Sequence, residues 1–211
     1  MSGGQQAKNG ASYPVAAREL LRNMLLDAGR ELLSERPFAA VTMAQIARKA
    51  GVSRQTLYNE FGSREGFARA LLMREADRFL NTVEAAVRAN RDDPAGAVAA
   101  AFAVFLDVAQ NDPLVRSGLR EGAGELLALA TTRGRPLVDH AVQRLAAVIA
   151  ANWPEAPRAD CELLSECLVR LAISYAALPT GSSRRTAEGV ARLLGPYIEE
   201  VVGTASAQEA C

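Results

Sequence analysis

The stretch Thr42-Met43-Ala44-Gln45-Ile46-Ala47-Arg48-Lys49-Ala50-Gly51-Val52-Ser53-Arg54-Gln55-Thr56-Leu57-Tyr58-Asn59-Glu60-Phe61 decides how this chain folds. Thr42 followed three residues on by Gln45 is a capping box: the hydroxyl accepts from the N–H of residue 45, and the glutamine reaches back to the N–H of residue 42. A short helix therefore begins there. It ends at Ala50-Gly51, because glycine takes the left-handed backbone angle without a Cβ clash. Ser53 then caps another helix only two residues later. Two short helices so closely joined form a helix-turn-helix, with Ala47 small where the axes cross and Ile46, Val52 and Leu57 as a shared apolar seam. At about 100° per residue, with Leu57 inward, Ser53 and Phe61 lie within about 40° of it, while Gln55, Tyr58 and Asn59 face outward. Those three are candidate base readers. Asn and Gln bond adenine bidentately, Arg54 on the flank reaches guanine or phosphate, and Tyr58 offers a ring to a thymine methyl and a hydroxyl to phosphate.

Upstream, Leu21, Leu25, Ala28 and Leu32 recur at helical spacing and predict a helix from about Val15 to Arg36, stopped by Pro37. Downstream, Ser63 with Glu65 in the first turn opens a fourth helix that runs toward Asn90. Asp93-Pro94 and Asp112-Pro113 each join an N-cap residue to a proline pre-set for the first helical position, marking two more starts. A periodic run then follows Arg133-Gly134-Arg135-Pro136 as far as Trp153-Pro154, and another spans Pro157 to Pro179. Ser182-Ser183 caps a last helix to about Val202, which Gly195-Pro196 is expected to kink. The prediction is an all-α chain of about nine helices and no strand. Hydrophobic residues at 49% with aromatics at only 5% suit packed helices. The expected organisation is a disordered arm over 1–14, a helix-turn-helix head over 15–62, a helical body over 63–203 and a disordered tail over 204–211.

The formal net charge of zero hides a gradient: residues 1–80 carry 12 Lys+Arg against 8 Asp+Glu, and residues 81–211 carry 12 against 16. Only the first segment suits a polyanion partner. Cys161, Cys167 and Cys211 have no metal-site spacing and there is one histidine, so reduced thiols, a cytoplasmic location and no metal or other cofactor are expected. The apolar runs fall short of a membrane span, and the N-terminus has no signal-peptide core. Without a Gly-rich phosphate loop or a nucleophile elbow, little enzymatic chemistry remains.

Over residues 18 to 75, and most densely from Thr42 to Phe61, the chain resembles the TetR/AcrR family of transcriptional regulators. The resemblance implies a TetR-like fold in which Thr42 holds a phosphate and Ser53, Arg54, Gln55, Thr56, Tyr58 and Asn59 border or enter the major groove of an operator duplex. Ser63-Arg64-Glu65 stands where the family has a Ser-Lys-Glu-like helix start, which gives Arg64 the lysine's phosphate-clamping role. Glu60 departs from the pattern, the family often having histidine or tyrosine there. Phosphate repels a carboxylate unless it accepts from cytosine N4 or pairs with an arginine.

The body is read less sharply. Phe79, Phe102, Phe105 and Leu106 recur at helical spacing and either line a cavity or form plain core, and His140 is a candidate ligand contact or a structural histidine. Asp107, Gln110 and Asn111 serve as polar anchors or as helix-end caps. An alanine- and leucine-rich body makes any pocket greasy. Arginine outnumbers lysine 22 to 2, as in regulators of high-GC actinobacteria. That resemblance implies an apolar effector, fatty-acyl or alkane-like. In the family the last two helices meet their symmetry mates in a four-helix bundle, which here implies a homodimer built on Leu164, Leu168, Leu171 and Tyr175 with Val190, Leu194, Ile198 and Val201. The implied function is an operator-bound repressor released by its ligand. A helical lipid- or drug-binding module without DNA function stays open as the alternative.

Overall fold

The computed structural model describes residues 13–112 and 135–203. Among them are eight α-helices: α1 (Tyr13–Glu35), α2 (Met43–Lys49), α3 (Arg54–Phe61), α4 (Arg64–Ala89), α5 (Pro94–Asn111), α6 (Arg135–Asn152), α7 (Arg158–Ala177) and α8 (Ser183–Gly203). The described residues contain no strand. The helix start expected at Pro113, most of the expected arm and the tail over 204–211 lie outside the described residues. α1 begins two residues earlier than its periodicity suggested, at Tyr13. A 3-10 turn at Phe38–Ala40, which no sequence signal announced, follows Pro37.

Local chemistry sets the boundaries in the first half. Thr42 Oγ1 accepts from the Gln45 N–H (3.3 Å) and Gln45 Oε1 from the Thr42 N–H (2.8 Å), completing the capping box. Ser53, Ser63 and Asp93 each accept from the N–H three residues on, at 3.0, 3.0 and 2.9 Å. Gly51 has φ +72°, and the bonds Val52 N–H to Ala47 O (3.0 Å) and Gly51 N–H to Arg48 O (3.2 Å) make the pair of a Schellman motif. That pair turns the chain from α2 into α3. α8 continues through Pro196 as one helix.

Two main cores result, with a small third cluster of Val87, Ala97 and Val148 joining α4, α5 and α6. The first gathers Leu25, Leu26, Leu33, Phe38, Met43, Ile46, Leu57, Phe67 and Leu71 from α1 to α4. Gly29 lets α1 approach α4 closely: a Cβ there would sit 2.4 Å from Phe67 Cζ, inside a side chain with no exposure. The second core runs from Val83 on α4 through α5, α6, α7 and α8 to Val201. α4 belongs to both. α5 is long and apolar enough by composition to cross a membrane, more so than the sequence alone suggested, but it is the central helix of the body, packed against α4, α7 and α8.

Candidate nucleic-acid interface and body cavity

α3 presents one polar face outward. Ser53, Arg54, Gln55 and Asn59 are exposed, Thr56 and Tyr58 are partly covered, and Leu57 on the opposite side is wholly buried. The expectation that Ser53 lies near Leu57 assumed helical geometry, whereas as an N-cap it has extended angles (φ −72°, ψ 152°) and faces solvent. Gln55 Nε2 donates to Asn59 Oδ1 (2.7 Å), and the Arg54 guanidinium lies 5.3 Å from the Tyr58 ring centre and donates to its hydroxyl (3.4 Å). These i,i+4 pairs align the polar groups along one ridge, as in a helix that reads base edges. Thr42, the N-cap of α2, is exposed as well. Arg64 is drawn inward instead: it donates to Phe38 O (2.6 Å) and stacks on the Phe38 ring at 4.3 Å, clasping the 3-10 turn to the start of α4.

Glu60 does not face the groove side. Its side chain is 8% exposed and receives Arg18 Nε at 2.9 Å and Arg22 Nη1 at 3.0 Å, both from α1, while Arg22 also stacks over Phe61 at 4.8 Å. The arginine pairing weighed for this residue is therefore internal to the head. Burial pushes the Glu60 carboxyl up, but the hydrogen bonds and charges of Arg18 and Arg22 outweigh it and hold the group below its ordinary value of 4.5. A depressed folded-state value means that the tie is complete above about pH 4.5 and is lost as pH falls further, through the folded value. In Glu60→Gln, thermal unfolding at pH 7 is expected to show a loss of about 1–3 kcal/mol, the range for leaving buried polar partners unsatisfied. The gap from wild type should close as the pH drops below 4. A gap that stays constant down to pH 3 refutes the assignment.

In the body, α4 to α8, with Arg30 from α1, enclose a cavity of about 500 Å³. Phe79, Phe102 and Phe105 line it. Phe79 and Phe105 meet edge to face at 5.2 Å, and Phe102 meets Tyr175 at 6.1 Å. Leu106 does not line it: one residue past Phe105 it has turned about 100° around α5 and is buried in packed core. His140 does not line it either. Its Nε2 pairs with Asp77 Oδ1 at 2.7 Å, next to Arg144, which bridges to Asp77, Asn81 and Glu84, so it fastens α6 to α4. Asn111 caps backward onto Asp107 O (2.9 Å).

The residues expected at a dimer interface are largely spent inside the chain. Leu164, Leu168, Val190, Ile198 and Val201 are buried in the body core, and Leu171, Leu194 and Tyr175 pack against it. α8 lies chiefly on α5, and α7 on α6 and α5. Leu163, Leu178 and Leu193 are the large apolar residues left outside on or beside these two helices, at 52%, 75% and 74% exposure.

A helix-turn-helix with an exposed polar α3, joined by one long helix to a helical body that holds a cavity, is the architecture of a DNA-binding regulator. Residues 25–71 match the family model described as bacterial regulatory proteins, tetR family, and residues 93–196 match that of the bacterial tetracyclin repressor, C-terminal domain. The chain is 40% identical over 188 residues to the HTH-type transcriptional regulator AlkX of Mycobacterium tuberculosis, covering 89% of each. Its fold matches that of the TetR family repressor AlkX from Dietzia sp., described as implicated in biodegradation of n-alkanes (TM-score 0.75, 30% identity, 85% of this chain and 98% of that one). RolR in complex with resorcinol shares the fold at a TM-score of 0.61 and 19% identity, over 90% of this chain and 96% of that one. The chain belongs to the TetR family of DNA-binding transcriptional regulators, which are not enzymes.

Proposed function

We propose that the protein acts as a homodimeric repressor that binds a near-palindromic operator and is released by a largely apolar small molecule, fatty-acyl or alkane-like. The observation that carries this reading is the pairing of the exposed α3 ridge with an apolar cavity whose wall includes α4, the helix that both cores share. Thr42, Ser53, Arg54, Gln55, Thr56, Tyr58 and Asn59 make the DNA contacts. Arg64 supports them by fixing the start of α4. One recognition helix reads too few bases alone, so two copies set theirs roughly one duplex turn, about 34–36 Å, or slightly more apart. The dimer contact uses the outward faces of α7 and α8, where Leu163, Leu178 and Leu193 are exposed. The head is residues 15–62 and the body 63–203. The Dietzia relative is implicated in biodegradation of n-alkanes, and a cavity lined by three phenylalanines and many aliphatic residues suits such chemistry. An effector acts only through unequal affinity for the bound and released states, and α4 offers the route by which a filled cavity favours release.

Footprinting on the DNA flanking the protein's own gene, with and without an extract of cellular lipids, tests this reading. A protected near-palindrome, lost on adding lipid and weakening steeply with salt, is the expected result. Protection that lipid leaves intact overturns the effector class, and no protection at low salt overturns the operator assignment.

A further inference from the structure

Among the described residues, the charge in the body cavity is gathered at one end. The ionised ones that line it are Arg30, Glu75, Arg78 and Asp112, and they meet where α1 abuts α4 and the end of α5; the rest of the described wall is apolar save Thr82 and the Trp153 ring edge. Arg30 is the sole lining residue contributed by the head's first helix. It ion-pairs with Glu75 on α4 and, at 3.0 Å, with Asp112, the residue that caps α5. Three guanidiniums converge on Glu75: Arg30, Arg74 at 3.5 Å and Arg78 at 3.4 Å. Asp27 takes a bond from each of Arg74 (2.9 Å) and Arg78 (3.3 Å). Guanidiniums and carboxylates are equal in number at this end, so an incoming carboxylate has to exchange with one already there. A guanidinium fork is also the side chain best matched to an incoming carboxylate.

We propose that this end is a headgroup site: the effector is a single-chain amphiphile whose carboxylate seats on Arg30 in place of Asp112 while its tail fills the apolar cavity. This rests on the apolar-effector reading and deepens it. Along α4 the lining runs from Leu72 to Val87, about 22 Å at the helical rise. At about 1.2 Å per bond of an extended chain, that length takes roughly 16 to 18 carbons. Glu75 keeps Arg74 and Arg78 when Arg30 turns to the ligand, and the carboxylate displaced is Asp112, whose side chain is 20% exposed at the end of α5. The exchange cuts the Arg30–Asp112 link between α1 and α5. A ligand that binds best when α1 has parted from α5 has the unequal affinity for two states that release requires.

The test uses the full chain and three probes of equal tail length, palmitate, 1-hexadecanol and hexadecyltrimethylammonium, each below its micelle concentration. Binding is followed through Trp153, the chain's one tryptophan, which lines the cavity at its far end. Wild type is expected to bind palmitate about tenfold or more tightly than hexadecanol, the scale of a charge-assisted hydrogen bond. In Arg30→Gln, palmitate falls to the affinity of hexadecanol, which is itself unchanged. In Asp112→Asn, where the competing carboxylate is gone, the preference for palmitate rises several-fold. Equal binding of palmitate and hexadecanol by wild type, a preference that survives Arg30→Gln, or tightest binding of the ammonium each overturns the headgroup site while leaving an apolar effector standing. If none of the probes binds, the apolar-effector reading falls and the headgroup site with it. Should Arg30→Gln fail to fold, Asp112→Asn decides alone: a palmitate preference no greater than wild type refutes the proposal.

Discussion

Gln55→Ala and Asn59→Ala are each expected to weaken operator binding about 30-fold to 10⁴-fold while leaving thermal stability within about 0.5 kcal/mol of wild type. The size follows from the chemistry of base readout: a bidentate amide contact discriminates by about 1–3 kcal/mol, and a homodimer loses it at both half-sites. The small stability cost follows from the structure, since both side chains are exposed and bond only each other, at 2.7 Å. Anisotropy titration against the operator at fixed salt measures the first quantity and thermal unfolding the second. The salt dependence should barely change, because phosphate contacts carry it. Wild-type affinity in both variants removes α3 as the reading helix. Tyr58→Ala and Arg64→Ala are weaker probes, since Tyr58 packs on the head core and Arg64 holds the Phe38 carbonyl. For them a loss of binding mixes with a loss of folding. Tyr58→Phe isolates the hydroxyl.

The head was legible because its decisive interactions are local. Thr42 with Gln45, Ser53 with Thr56 and Ser63 with Gly66 span three residues each, and Gly51 closes α2 through bonds to Ala47 and Arg48. Such spacings are written directly in the sequence. The partners of Glu60 were not, for Arg18 and Arg22 lie 42 and 38 residues away, and His140 finds Asp77 across 63. Nothing local to those residues names the element that will pack against them. Periodicity has the same limit in the body. It shows that Leu164, Leu168, Ile198 and Val201 share faces, but a face that meets α5 and one that meets a second copy carry the same pattern. The clearer signal for a further interface is the apolar residue out of phase with its helix, as Leu163 and Leu193 are. The ion-paired end of the cavity was equally hidden, since it joins Arg30, Glu75 and Asp112 from three helices.

Ala101→Phe is expected to abolish the response to effector while leaving operator binding intact. Ala101 lines the cavity midway along α5, between Val98 and Phe105, so a phenyl ring there fills the void rather than displacing packed atoms. A long chain can then occupy only one part of the cavity. Each methylene kept from burial forfeits about 0.8 kcal/mol, so losing five or six of them costs about 4–5 kcal/mol, a fall of at least a thousandfold in affinity. Stability should hold or rise, because apolar volume is added to empty space rather than to a filled core. Trp153 fluorescence reports the loss of binding, and anisotropy on the operator reports retention of DNA affinity with no release at effector concentrations that free the wild type. A ligand can shift an equilibrium only by its difference in affinity for the two states, so a plugged cavity should leave the head bound. If Ala101→Phe still releases DNA at the wild-type effector concentration, the effector acts somewhere other than this cavity, and the coupling through α4 and Arg30 goes with it.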